Sequence, residues 1–301
     1  MALVSFVSAK GSPGVTTSVL ALAAAWPRTA MLAETDLSGG DVAAGYYQGS
    51  VQVDRGVYPL ARAVGRGADL GGEFAQHVFR MSPVQVGKQG TDLLWLPGLT
   101  DPGQAGVLTD TVWEQLSDLF LRLEEGEPPL DVLADCGRFG EPNPGQAQLY
   151  TRADLVVTVA RPTLRSLNAV KPHLAVLRHG LRETTGNTSQ LTLLLVGTGP
   201  YGPAEVAKEF NVPVVALPHD PVAASWLSDG VGRPARYARS RLARAARAVS
   251  MRLTEWIVAR RSGGQAHAVR IPGNGARPVG ASPDQPGPPA PAGARSGGDA
   301  A

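Results

Sequence analysis

Three short stretches carry residues whose types and order could do chemistry. The first is Lys10-Gly11-Ser12-Pro13-Gly14-Val15-Thr16-Thr17, between an apolar run and a helix-forming one. Glycines let backbone N–H groups approach an anion closely, and a helix N-terminus adds its dipole. The second is Thr35-Asp36-Leu37-Ser38-Gly39-Gly40-Asp41, and the third is Asp135-Cys136-Gly137; each directly follows a short apolar run. Two carboxylates at strand ends and a hydroxyl after a glycine loop are what a phosphate-bound Mg²⁺ needs, because that hard ion takes one or two carboxylates plus phosphate and water. Each aspartate alone is as well explained by capping a turn. All three features in order favour a nucleotide site. The usual phosphate loop reads G-x-x-x-x-G-K-[ST]. Here Gly14 and the closing hydroxyls agree with it, and the lysine position carries Val15.

The elements that must position these residues are strands and helices in alternation. Ala2–Ser8, Thr29–Glu34, Leu93–Leu96, Asp131–Asp135, Leu155–Ala160, Leu191–Val196 and Val212–Leu217 are short and apolar at consecutive positions. That pattern suits strands covered on both faces, as in a parallel sheet. Thr16–Trp26, Thr109–Glu125, Leu164–Arg178 and Pro203–Phe210 read as helices between them. The expected fold is therefore α/β: one doubly wound, mostly parallel sheet with helices on both faces. Ligands of such sheets bind at the carboxyl ends of the strands, where all three stretches fall.

Composition narrows the classes further. A formal charge of +2 excludes a strongly basic whole-protein nucleic-acid binder, though not a local patch. The single cysteine, Cys136, excludes an internal disulfide framework and a multi-cysteine zinc site, and reads as a small buried residue. The five histidines show no metal spacing, and no Ser/His/Asp hydrolase arrangement can be argued. The apolar start lacks the charged flank of a signal peptide, and no run is long enough to span a bilayer. A cytoplasmic protein is expected. From Ser262 to Ala301 the chain holds nine glycines, seven prolines and no aromatic residue. Such a segment cannot bury enough apolar surface to offset its conformational entropy. The expected division is a nucleotide-binding domain over residues 1–261 and a disordered tail over 262–301. Arg239–Arg261 has seven arginines opposite an apolar face, and reads as a terminal helix packed on the domain. A DNA-phosphate or anionic-membrane surface is the less favoured reading of the same stretch.

The sequence resembles the ParA/MinD-type deviant Walker A ATPases, whose loop is K-G-G-x-G-K-[ST]-[ST]. Lys10 matches the signature lysine, Gly11 and Gly14 the glycines, and Thr16 and Thr17 the hydroxyl pair; Ser12 and Val15 depart from it. Glu34-Thr35-Asp36 is similar to the family's D-x-D motif, and Asp135 aligns with its Walker B aspartate. The stretches Ala153–Leu167 and Val212–Asp220 resemble its later motifs. The wording Asp36–Ala43 further resembles the TadZ/CpaE branch, which places pilus-assembly machinery. The resemblance covers residues 1–261. It implies that Gly11, Ser12, Pro13, Gly14, Val15, Thr16 and Thr17 wrap the phosphates of ATP, with Pro218 also contacting the nucleotide. It implies that Thr16, Asp36 and Asp135 serve Mg²⁺, that Asp36 orients the attacking water, and that Lys10 reaches across a homodimer. Protein partners of a positioning or assembly system, and a peripheral place at the membrane or cell pole, are implied in the same way. An adenine-contacting asparagine expected after Leu191–Val196 is replaced by Gly197, which leaves base selectivity open. Three readings follow from Val15: a nucleotide switch with weak or absent hydrolysis, a scaffold that binds no nucleotide, and a competent ATPase that uses Lys10.

Overall fold

Six consecutive buried residues, Leu3–Ser8, form β1, and its neighbours on both sides are parallel strands. The computed structural model describes residues 2–10, 13–81, 92–123, 126, 129–139 and 145–268, with side chains described to Ser262. The other strands are β2 (Ala30–Glu34), β3 (Phe79–Met81), β4 (Leu93–Leu96), β5 (Asp131–Arg138), β6 (Leu155–Ala160), β7 (Leu191–Val196) and β8 (Val214–Leu217). They make one eight-stranded sheet in the order β3-β4-β2-β5-β1-β6-β7-β8, parallel except for β3 against β4. The expected doubly wound sheet is thus present. The antiparallel edge strand β3 was not expected; three residues, Phe-Arg-Met, give no period to read.

Ten helices cover the sheet among the described residues: α1 (Val15–Ala24), α2 (Val57–Gly65), α3 (Leu70–Phe74), α4 (Asp110–Arg122), α5 (Ala147–Thr151), α6 (Leu164–Thr185), α7 (Pro203–Phe210), α8 (Pro221–Asp229), α9 (Pro234–Ala238) and α10 (Arg241–Ala268). One face of the sheet buries α2 to α7 in a core that contains Trp113, Phe120 and Leu174. The other buries α1 and α8 to α10, with Val19, Tyr237 and Leu253. Helix α6 continues past the expected Arg178 through Pro172 and ends where Gly186 takes a left-handed φ of 67°. Strand β8 starts two residues later than expected, because Pro213 has no N–H to donate and only its carbonyl joins the ladder, accepting from Leu193 N at 3.0 Å.

Helix α10 lays Leu242, Ala246, Val249, Leu253 and Ile257 into the second core, and Ser250 Oγ donates to Leu22 O of α1 at 3.0 Å. The compact unit comprises residues 1–261. The backbone of α10 runs on to Ala268, so the boundary expected at Ser262 cuts inside a helix. The rest of the expected tail, 269–301, lies outside the described residues.

The amino ends of the central strands are fastened by acids that have cations. Asp131 accepts from Ala2 N at 2.7 Å and Trp26 Nε1 at 2.6 Å, and pairs with Arg28 at 2.7 Å. Asp154 accepts from Leu3 N at 3.0 Å and pairs with Arg261 at 2.8 Å.

Candidate functional site

At the carboxyl ends of the same strands the acids lack such partners among the described residues. Strand β1 leads through Lys10 and Pro13 to Gly14, whose φ of 94° and ψ of 44° suit only a residue without a Cβ. That turn starts α1 with no side chain capping its first N–H groups, the arrangement that accepts an anion. Gly11 and Ser12 of the expected cradle lie outside the described residues. Lys10 is exposed, Pro13 is buried, and Thr16 and Thr17 are half-buried. Val15 is only 7% exposed and belongs to the same apolar core as Val42 and Leu217.

Sheet register brings the acids together. Asp135 of β5 lies between Phe6 of β1 and Glu34 of β2. Thr35 N and Oγ1 both donate to Asp135 O, at 2.8 and 3.0 Å, which locks the end of β2 to β5. The Asp135 carboxylate accepts from Gly137 N at 3.0 Å, and the Thr16 hydroxyl lies near enough to favour its charged form. Asp36 Oδ1 accepts from Ser38 N at 2.8 Å. Its other oxygen lies so close to Gly137 that a Cβ there would sit 1.8 Å away; Gly137 also has a φ of 64°. The structure thus unites Thr16, Asp36 and Asp135, three residues far apart in sequence. Both aspartates also cap turns, so that reading and the functional one hold at once.

Electrostatics separates these acids from those at the other end of the sheet. No lysine or arginine pairs with Asp36 or Asp135 among the described residues. Burial pushes the Asp135 carboxyl up to about 7, opposed by the Thr16 and Gly137 hydrogen bonds and reinforced by Glu34 and Asp36. Burial also raises Asp36, opposed by Ser38. A group whose pKa rises on folding stabilises the fold below its ordinary value and loses that contribution as pH rises through the folded value. The window here runs from about pH 4 to 7, and a three-unit shift corresponds to roughly 4 kcal/mol. In metal-free buffer, the melting temperature of the wild type should therefore fall between pH 5 and 8, relative to Asp135→Asn, by about 8 °C. Thermal scans of the two proteins that ran parallel would show that Asp135 is ionised without cost.

Mg²⁺ fits this set: a buried carboxylate without a cation beside it among the described residues, a second carboxylate that acts on it and a hydroxyl near the first. No group of three or more His, Cys, Asp or Glu that could cage a metal occurs among the described residues. The ion would need oxygen ligands from phosphate and water, as Mg²⁺ ordinarily does. Cys136 is buried and its thiol is pushed up to about 12, chiefly by burial, which leaves no nucleophile there.

Two features were not identified as functional from the sequence. Glu34 is a buried hub: its carboxylate accepts from Val42 N at 3.0 Å, Trp95 Nε1 at 2.8 Å and Gly98 N at 3.3 Å. It fastens the far end of the Asp36 loop to the sheet, and burial raises its pKa despite these donors. Its position in the Glu34-Thr35-Asp36 motif was the available signal. The other is Asp220, which caps two helices at once, Oδ1 accepting from Ala223 N of α8 at 3.2 Å and Oδ2 from Leu242 N of α10 at 3.4 Å.

Beyond β1, the ends of β7 and β8 enclose a hollow of about 560 Å³, lined by Pro162, Gly197, Thr198, Tyr201, Pro218 and Arg244. Gly197 has a φ of 92°. Pro218 therefore lines a cavity on the same edge of the sheet as the glycine loop, and the loop after β7 presents backbone in place of the expected amide. No helix among the described residues is long and apolar enough to cross a membrane.

No protein-family model matches the sequence, and no curated protein sequence matches it. Solved structures do. A ParA family ATPase from Chlorobium tepidum TLS superposes with a TM-score of 0.61 at 18% identity, over 82% of this chain and 96% of that one. The septum site-determining protein MinD from Pyrococcus horikoshii OT3, complexed with Mg-ADP, gives 0.57 at 18% identity, over 89% and 98%. Cobyrinic acid a,c-diamide synthase from Mycobacterium smegmatis, with bound ATP analog and magnesium, gives 0.57 at 16% identity, over 86% and 96%. Coverage of more than nine-tenths of each neighbour shows that this chain has the P-loop NTPase-like fold of the ParA and MinD ATPases.

Proposed function

We propose that this protein is a ParA/MinD-like nucleotide switch. ATP would bind with its phosphates over the N-terminus of α1 and with Mg²⁺ beside Thr16, Asp36 and Asp135. The observation that carries this reading is the contrast along the sheet. Buried Asp131 and half-buried Asp154 at its amino ends have arginines, while Asp135 and Asp36 at its carboxyl ends have none among the described residues. Isolated buried charges are costly, and a phosphate-bound cation would relieve both. Thr16 would offer its hydroxyl to the ion, Asp135 would hold the ion's shell, and Asp36 would orient water. The hollow lined by Gly197 and Pro218 would take the base. Because Val15 offers no donor, hydrolysis would be weak. Loss of one donor at such a site costs about 2–4 kcal/mol, roughly 30- to 1000-fold in rate. A homodimer with Lys10 reaching the partner's nucleotide, and a role in positioning or assembling cellular machinery as in the TadZ/CpaE branch, complete the proposal.

The burial of Val15 favours a second reading, a scaffold that keeps the fold without nucleotide. Calorimetric titration separates the two. ATP should bind with Mg²⁺ and lose at least tenfold in affinity without it, and Asp135→Ala should abolish that metal dependence. No heat at millimolar ATP would leave the scaffold.

A further inference from the structure

Several arginines elsewhere in this protein have acids. Arg28, Arg80, Arg152 and Arg261 each pair with an aspartate. Between Asp229 and Glu255 the chain has no acidic residue at all. Arg233, Arg236 and Arg239 fall in that interval, are exposed, and have no carboxylate partner among the described residues. All three line one hollow of about 1010 Å³ between α8 and α9.

The walls of that hollow add two observations. Asp220 is its sole acid among the described residues, and both of its oxygens are engaged by the N-termini of α8 and α10. Trp226 and Tyr237 also line it. The indole Nε1 and the phenol hydroxyl of these residues are buried donors without an acceptor among the described residues, and Tyr237 is 1% exposed. Buried donors of this kind ordinarily have partners. These donors are closed off behind the wall, so what the hollow itself offers a solute is three arginines beside one engaged acid, a charge that is not neutralised from within.

We propose that the hollow between α8 and α9 binds a small organic phosphate carrying two or more phosphate groups. Guanidinium forks match phosphate oxygens bidentately. Each phosphate monoester carries about −1.5 to −2 charge, so two match three arginines. The volume lies at the upper end of the ~300–1,000 Å³ common for solute sites. Concave walls with an indole in them suit a solute with a ring; a duplex or a bilayer presents a convex or flat face that cannot enter. None of the residues lining this hollow belongs to the glycine loop, and β8, which leads into α8, is the third strand from β1.

Arginine footprinting of the full chain tests the proposal independently of the glycine loop, since Gly11–Thr17 contains no arginine. Phenylglyoxal modification would be read by mass spectrometry at 150 mM NaCl without nucleotide, with inorganic tripolyphosphate as the probe. Tripolyphosphate should protect Arg233, Arg236 and Arg239 at least fivefold and saturably, leaving the exposed Arg66 unchanged. The variant R236Q/R239Q should lose the protection left at Arg233 while its melting temperature stays within a few degrees of wild type. Equal protection of Arg66 would show screening only and overturn the site. So would protection seen with a 20-base-pair DNA duplex or phosphatidylglycerol vesicles but not with tripolyphosphate, which would make the patch a macromolecular surface. If ATP does not bind at all, the same footprint still stands or falls alone.

Discussion

Glu34→Ala is expected to lower the melting temperature by about 10–20 °C. Three donors, Val42 N, Trp95 Nε1 and Gly98 N, converge on this one buried carboxylate. Each donor left without an acceptor costs about 1–3 kcal/mol. A summed loss near the middle of the resulting range, about 5 kcal/mol, corresponds to that shift at roughly 2–4 °C per kcal/mol. Glu34→Gln separates this account from a simple volume effect. The amide keeps one acceptor oxygen, which can serve either Val42 N or the pair Trp95 Nε1 and Gly98 N, so the loss should be about half. Equal losses for Ala and Gln would mean that charge, rather than the number of satisfied donors, is what the loop requires. A drop below about 3 °C for Ala would show that water replaces the carboxylate freely.

Val15→Lys is expected to raise ATP turnover at least tenfold over a near-background wild type. Val15 is buried with Val42 and Leu217 in the apolar core. An ammonium cannot remain there, so its stem must follow the turn and carry the charge out over the N-terminus of α1. That is where negative charge would build on a transferred phosphate. The variant should melt a few degrees lower than wild type without nucleotide and recover with Mg-ATP, because the ligand supplies the anion the ammonium lacks. Asp36→Ala in the same background should remove the gain. A wild type that already matches the variant's rate would show that Lys10 suffices. A variant that binds ATP and stays inactive would place the limit elsewhere.

Much of this arrangement was legible in the residues, for identifiable reasons. Strands buried on both faces write themselves as unbroken apolar runs, and β1, β2, β5, β6 and β7 were found to within a residue or two at their amino ends. Thr16, Asp36 and Asp135 could be singled out as candidates because the two acids stand at strand ends and Thr16 follows a glycine turn. What escaped depended on contacts between distant segments. Nothing local to Glu34 shows that Trp95, sixty-one residues on, will point its indole N–H there. Nothing local to Gly137 shows that its missing Cβ makes room for Asp36. Val15 was recognised as a substitution, but its place in the core emerges only when α1 is laid against the sheet. The short helices α8 and α9 are set by Asp220 and by proline at their first positions, and carry too few turns for a readable period.

The pairing of β1 with β5 also sets a timetable for synthesis. Leu3 joins Val132, and the other flank of β1 joins β6 still later, Val4 to Leu155. At about 5–20 residues per second, the first strand leaves the ribosome roughly 7–25 s before either partner is made. Through that interval Leu-Val-Ser-Phe-Val-Ser, the strand that ends on the glycine loop, is an apolar segment with both edges open. The part of the chain on which the candidate site is built is therefore the part most in need of a chaperone while the protein is being born.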